Sequence, residues 1–266
     1  MNAERFKKII AYSKNNRDDI NSYIKNFYSF AGIEPDNDVL NIMQIVRASF
    51  HKKGFLVIEM PFADNEIGAL YYKGDGLGYI VINSSLPKVN VNFAISHEIY
   101  HVFFQKEEVI SKVEFANELY YEHEDEFAAN SFAGMFLMPE VSFRRMYTKF
   151  SLESDNEIDI IIKLMAYYEV TYMSVLIRCY ELGLPAKNNI SEELLNVDKE
   201  LIHSRFDELW LDSSILSASH KDDYPHVESL VKKQGEEYIN DGYINERSLE
   251  KVLINMHNLY NKIKGE

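Results

Sequence analysis

Cysteine is almost absent from this chain: its 266 residues include one, Cys179. A single cysteine excludes an intrachain disulfide, so packing must hold the fold, and a reducing compartment suits it. Its apolar, helix-patterned surroundings mark Cys179 as a buried thiol rather than a nucleophile. Proline and glycine are also sparse, at 6 and 11, which excludes a collagen-like or linker-like chain. No apolar run reaches the length of a membrane span, and the N-terminus lacks the apolar core of a signal peptide. A cytoplasmic protein is the resulting expectation. Positive charge is in deficit: 28 Lys and Arg face 42 Asp and Glu, for a net charge of -14. Affinity for phosphates needs clustered cations, so direct nucleic-acid binding is not expected. What the chain holds in quantity is apolar matter, 46% hydrophobic and 13% aromatic. That composition excludes disorder and allows one large domain or two small ones.

Against this background, His97-Glu-Ile-Tyr-His101 is the most informative stretch. On a helix, residues four apart share a face, so both imidazoles can reach one metal ion. Glu98 is rotated one position away, where it can hold a water without ligating the metal. Phe93, Ala94, Val102, Phe103 and Phe104 surround the motif with apolar bulk. A catalytic site needs a third protein ligand and an open fourth position. The source lies downstream, where Ala129, Phe132, Ala133, Phe136 and Leu137 recur at helical spacing. Extended backwards, that face meets Glu122, Asp125 and Glu126, whereas Glu124 and Phe127 point elsewhere. A carboxylate on an apolar face is costly unless paired or metal-bound. An acidic first helical turn is adequate explanation for Glu122 and Glu124. Spacing leaves the three candidates open.

The periodicities predict a mixed α+β fold. Residues 1 to 31 read as helical and locally basic (Arg5, Lys7, Lys8, Lys14, Arg17), a pattern usual for a solvated face. Residues 39 to 50 have helical spacing. Strand-like runs follow at 55 to 60, 67 to 72 and 79 to 83, separated by turn signals. The metal helix begins near Asn90, and Pro139 ends the second one. Residues 157 to 184 form two helical runs about Glu169-Val-Thr171, spaced like a helix-turn-helix. The would-be recognition helix, residues 172 to 182, carries only Arg178 and Glu181 as charges, so packing or substrate docking is expected of it rather than DNA contact. A boundary is drawn at 187, with residues 188 to 266 as a helical appendage built from 191–210, 226–240 and 246–264. The appendage histidines His203, His220, His226 and His257 read as surface residues, and Met135 and Met138 as packing residues.

Several of these blocks together resemble the ImmA/IrrE family of metallopeptidases. They are Phe93-Ala-Ile-Ser-His-Glu-Ile-Tyr-His101, Glu126-Phe-Ala-Ala-Asn-Ser-Phe-Ala133, Leu137-Met-Pro139, the strand Gly78-Tyr-Ile-Val-Ile-Asn83 and the helical pair ending at Leu184. The likeness spans about residues 20 to 185, with the blocks in order. It implies a zincin-like core holding one zinc ion on His97, His101 and Glu126, with Glu98 as the base. Asn130 falls where related peptidases keep a partner for a ligating histidine. The chain departs from the family at Tyr100, usually glycine, and at Gln105, often a further histidine.

The expectation is therefore a zinc endopeptidase whose edge strand pairs with an extended peptide over the metal. Tyr79, Ile80, Val81, Ile82 and Asn83 are the expected substrate strand. The resemblance implies a helix-turn-helix transcriptional repressor as substrate, encoded nearby. Docking is expected through residues 172 to 182 and the helices after 188. The alternative is a metal-binding regulatory or toxin-type protein that sequesters a partner. An intact Glu98 favours the enzyme, because a structural site has no use for a base beside an open position.

Overall fold

The computed structural model describes residues 2–34, 41–73, 78–105, 124–154, 156–184 and 191–265. Three helices lead: α1 (Ala3–Asn15), α2 (Arg17–Ala31) and α3 (Ile42–Lys52). The strands β1 (Phe55–Met60), β2 (Ala69–Lys73) and β3 (Gly78–Asn83) follow, then α4 (Lys88–Phe104) and α5 (Glu124–Leu137). Beyond these come α6 (Glu140–Glu153), α7 (Glu157–Tyr168), α8 (Tyr172–Glu181), α9 (Glu192–Leu195) and α10 (Lys199–Glu208). A 3-10 turn at Ser213–Leu216 precedes the closing pair α11 (Tyr224–Asn240) and α12 (Glu246–Lys264). The α+β class expected from the periodicities is the class observed.

The sheet has the order β1-β3-β2, with β3 parallel to β1 and antiparallel to β2. This corrects one expectation. Tyr79, Ile80, Val81, Ile82 and Asn83 lie on the central strand, hydrogen-bonded on both sides, and offer a peptide no edge. The outer side of β1 is also covered. Arg47 donates to the Val57 carbonyl (3.1 Å), while Asp223 takes the Glu59 amide on its carboxylate (2.9 Å) and gives its own amide to the Glu59 carbonyl (2.8 Å). Among the described residues, the open edge is that of β2.

Period-two alternation sends Ile80 and Ile82 into the main core and Val81 to the opposite face. There Val81 joins Met60, Phe62 and Ile67, with Tyr260 and Ile263 of α12 packed against them. Two glycines permit close approach. A Cβ on Gly78 would sit 2.5 Å from the Phe55 ring across the β1–β3 register, and one on Gly68 would sit 2.6 Å from the Ala94 Cβ of α4. The second contact seats the sheet directly on the helix that carries the two histidines.

That helix is buried on several sides, as befits a central element. Val89, Val91, Ile95, Ile99 and Tyr100 are all in the core. α5 packs beside it through Ala128, Ala129, Phe132 and Phe136. Phe27 of α2 closes the cluster, edge-on to Phe103 (5.2 Å between centroids) and Phe136 (5.4 Å). Such edge-to-face pairs add about 0.5–1.5 kcal/mol beyond their area. Tyr100, where the resembled family has glycine, is buried against Tyr23 of α2, Phe104 and Phe132.

α7 and α8 meet at 108° around Glu169, which takes a left-handed conformation (φ 51°). Thr171 caps α8 by accepting from the Ser174 amide. No residue from Tyr172 to Leu182 is exposed. Arg178 is itself in the core, donating to the Met138 carbonyl (3.1 Å) and paired with Glu181 (2.9 Å). Burial pushes the Cys179 thiol well above its usual range. Among the described residues, no single helix is long and apolar enough to cross a membrane.

The chain beyond residue 191 shares the main core, to which Leu194, Leu195, Phe206 and Ile215 belong. Arg205 on α10 pairs with Asp159 on α7. Residues 217–223 run as a strap over the sheet's end, with the His220 amide donating to the Ser84 carbonyl (2.9 Å) and the Ser84 hydroxyl to the Lys221 carbonyl (2.6 Å). The α11–α12 pair, by contrast, is mostly exposed.

Candidate metal centre

α4 presents His97 and His101 one turn apart, and their Nε2 atoms lie 2.9 Å from each other. The Glu126 carboxylate of α5 meets both, with Oε2 3.2 Å from His97 Nε2 and Oε1 3.4 Å from His101 Nε2. Among the described residues, His97, His101 and Glu126 are the group whose ligand atoms all fall within 4.8 Å of one another. Asp125 is on the neighbouring face, and its carboxylate approaches Gln105 instead (3.4 Å). Glu122, the third carboxylate that spacing left open, lies outside the described residues.

The far side of each ring is engaged as a ligating histidine requires. His97 Nδ1 is 3.0 Å from the Asn130 Oδ1, and His101 Nδ1 is 2.8 Å from the Gln105 Oε1. With an amide oxygen at Nδ1, that nitrogen carries a proton, and Nε2 is the atom of each ring turned to the centre and left to ligate. Asn130, one turn after Glu126, lies against the His97 ring. Two imidazole nitrogens and one carboxylate oxygen form the donor set of a catalytic divalent-metal site that keeps a further position open. The residues present fit such an ion.

The electrostatics are those of converging ligands. Burial disfavours charge on His101, yet the hydrogen bond to Glu126, with help from Glu98, Glu126 and Gln105, raises its pKa to about 9. Burial likewise opposes charge on Glu126, but the bonds from His101 and His97 hold it well below the usual carboxylate range. In metal-free protein the carboxylate is therefore ionised and shares a proton with the His101 ring. A divalent cation would replace that proton.

Glu98 is 8% exposed. Its charge acts on His101, so it sits within electrostatic reach of the ligands without joining them. Two neighbours were not assigned a role from the sequence. Gln105, noted only as a departure from the resembled family, holds His101, and its i+4 spacing from that histidine was the available signal. Tyr71 of β2 stacks on the His101 ring (6.1 Å between centroids, 12° between planes). No sequence signal links Tyr71 to the site, because strand order brings them together. His203, His220, His226 and His257 are all exposed, while Met135 and Met138 are packed in the core.

No curated protein matched the chain. Residues 50–180, which span β1 through α8 and contain every residue of this centre, match the IrrE N-terminal-like domain of the M78 peptidases. The matched segment carries both the histidine-bearing and the carboxylate-bearing helices, and it supports an ImmA/IrrE-type metallopeptidase domain at residues 50–180.

Proposed function

We propose that the chain is a zinc-dependent endopeptidase that cleaves a helix-turn-helix transcriptional repressor at a single site. The observation that carries the enzymatic part is the convergence of His97, His101 and Glu126 within 4.8 Å, with Glu98 buried beside them. His97, His101 and Glu126 would hold the ion. When bound, it supplies Lewis acidity, drawing the pKa of a water toward about 7 and polarising the scissile carbonyl. Glu98 acts as general base: its carboxylate accepts the proton of the attacking water and returns it to the nitrogen of the departing amine. Asn130 and Gln105 keep the two Nδ1 protons in place, so neither ring turns its lone pair away.

An extended peptide pairs with the outer edge of β2. Support for this edge comes from the blocked side of β1, the central position of β3 and the stacking of Tyr71 on His101. The repressor as substrate rests on the family likeness, and the net charge of -14 suits a basic DNA-binding partner. Docking is assigned to the helices beyond residue 191; in its support, no residue of α8 is exposed. The single buried cysteine accords with a cytoplasmic location.

The test is to incubate the zinc-loaded chain with the product of an adjacent repressor-like reading frame and map fragments by mass spectrometry. One cut, lost in Glu98→Gln, is expected. Absence of any cut with metal bound, or equal cutting by Glu98→Gln, refutes the proposal.

A further inference from the structure

The amide of Gln105 has two different ends, and its two neighbours distinguish them. Asp125 Oδ2 can only accept, so it takes the Gln105 Nε2 (3.4 Å). The opposite end, Oε1, is thereby turned toward His101 Nδ1 (2.8 Å). An amide oxygen can only accept, so Nδ1 must donate, and Nε2 is the ring atom turned to Glu126 and available to ligate. Gln105 is the C-cap residue of α4, and Asp125 is in the first turn of α5, next to the ligand Glu126. The chain of contacts therefore joins the last turn of the histidine helix to the first turn of the carboxylate helix.

We infer that Gln105 is a positioning residue that fixes the tautomer and ring orientation of His101, with Asp125 fixing the direction of the Gln105 amide. The inference rests on the metal-site reading above. It gives each histidine its own amide partner by a different route. Asn130 reaches His97 from across the helix pair, whereas Gln105 reaches His101 along its own helix. An isolated α4 would let Gln105 point either end at the ring. The carboxylate of α5 removes that choice, so the correct tautomer depends on the two helices being docked. The 3.4 Å approach is long for a hydrogen bond, so the Asp125 contribution is the smaller one.

The test separates hydrogen bonding from packing with two replacements of similar length. Gln105→Met keeps volume and removes the acceptor, while Gln105→Glu keeps an acceptor on Nδ1. Zinc affinity is measured by chelator competition, and Co(II) is substituted to read ligand geometry from its visible absorption. Gln105→Met should bind zinc 10- to 100-fold more weakly, the usual cost of losing such a partner, with a shifted Co(II) spectrum. Gln105→Glu should stay within about threefold of wild type, and Asp125→Asn should lose a few-fold by letting the amide turn. Circular dichroism checks that each variant is folded. Wild-type affinity and spectrum in Gln105→Met, or equal losses in Gln105→Met and Gln105→Glu, overturn the inference. A wild-type chain that takes up no zinc overturns the metal-site reading itself, and this inference with it.

Discussion

The proton held at the metal centre predicts how metal affinity depends on pH. In metal-free protein the His101 pKa is raised from 6.5 to about 9, so at neutral pH the ring is charged and must lose a proton before it can ligate. Apparent affinity then scales as the deprotonated fraction of His101. Between pH 7 and pH 8 that fraction rises about ninefold for a pKa near 9, but only about 1.3-fold for an ordinary histidine near 6.5. The sign follows from the direction of the shift. A raised pKa stabilises the metal-free fold fully below pH 6.5, and this stabilisation fades as the pH climbs through about 9. Metal binding should accordingly strengthen, and the metal-free protein weaken, across the same window. The assay is zinc competition against a chelator of known pH dependence at half-unit steps from pH 7 to 8.5, paired with thermal unfolding of metal-free protein. Replacing Glu126 should return His101 toward its ordinary value, which NMR titration of the ring would read. A change in apparent zinc affinity of less than twofold between pH 7 and 8 would refute the reasoning, since no proton would then be bound at the site.

The roles of the individual residues lead to further expectations. Glu98→Gln should retain metal and fold but lose hydrolysis by a factor on the order of 10²–10⁴, because an amide cannot accept the water's proton; near wild-type turnover would exclude Glu98 as base. His97→Ala, His101→Ala and Glu126→Ala should each strip the metal, and Asn130→Ala should weaken it 10- to 100-fold, all readable by elemental analysis and competition titration. Phe206→Ala, at a fully buried position of α10, should cost about 3–5 kcal/mol of stability by denaturant unfolding. Ending the chain at residue 187 should abolish cooperative folding, since it removes Leu194, Leu195, Phe206 and Ile215 from the core. Ending it at residue 223 should keep the metal and most of the stability, so any loss of repressor cleavage there would locate docking on α11 and α12; unaltered cleavage would place selectivity in the cleft.

What could be read from the chain itself is whatever local geometry dictates. The i, i+4 spacing of His97 and His101 guarantees a shared helix face, and burial of the flanks follows from Phe93, Phe103 and Phe104. The helix breaks at Pro139 and around Glu169, and the alternation of residues 79 to 83, are likewise short-range facts. Spacing alone did not separate Asp125 from Glu126, because adjacent helix positions differ by only a fraction of a turn. The docking angle of α5 on α4 brings Glu126 to both imidazoles and turns Asp125 to Gln105. Strand order was equally illegible: alternation says that a strand has two unlike faces, not which strands flank it. Hence β3 was expected at the edge and lies at the centre, while β2 and its Tyr71 carry the edge beside His101. The helices after residue 191 read as an appendage because their polar faces dominate the sequence. A few apolar residues, Leu194, Leu195, Phe206 and Ile215, tie the stretch before α11 into the common core, and only long-range packing reveals that. Sequence alone thus determined which chemistry the chain can carry, since ligand spacing is local. Family likeness in the sequence already pointed to Glu126; tertiary structure decided which strand edge and which neighbouring amide serve that chemistry, because each depends on contacts between separate elements of the fold.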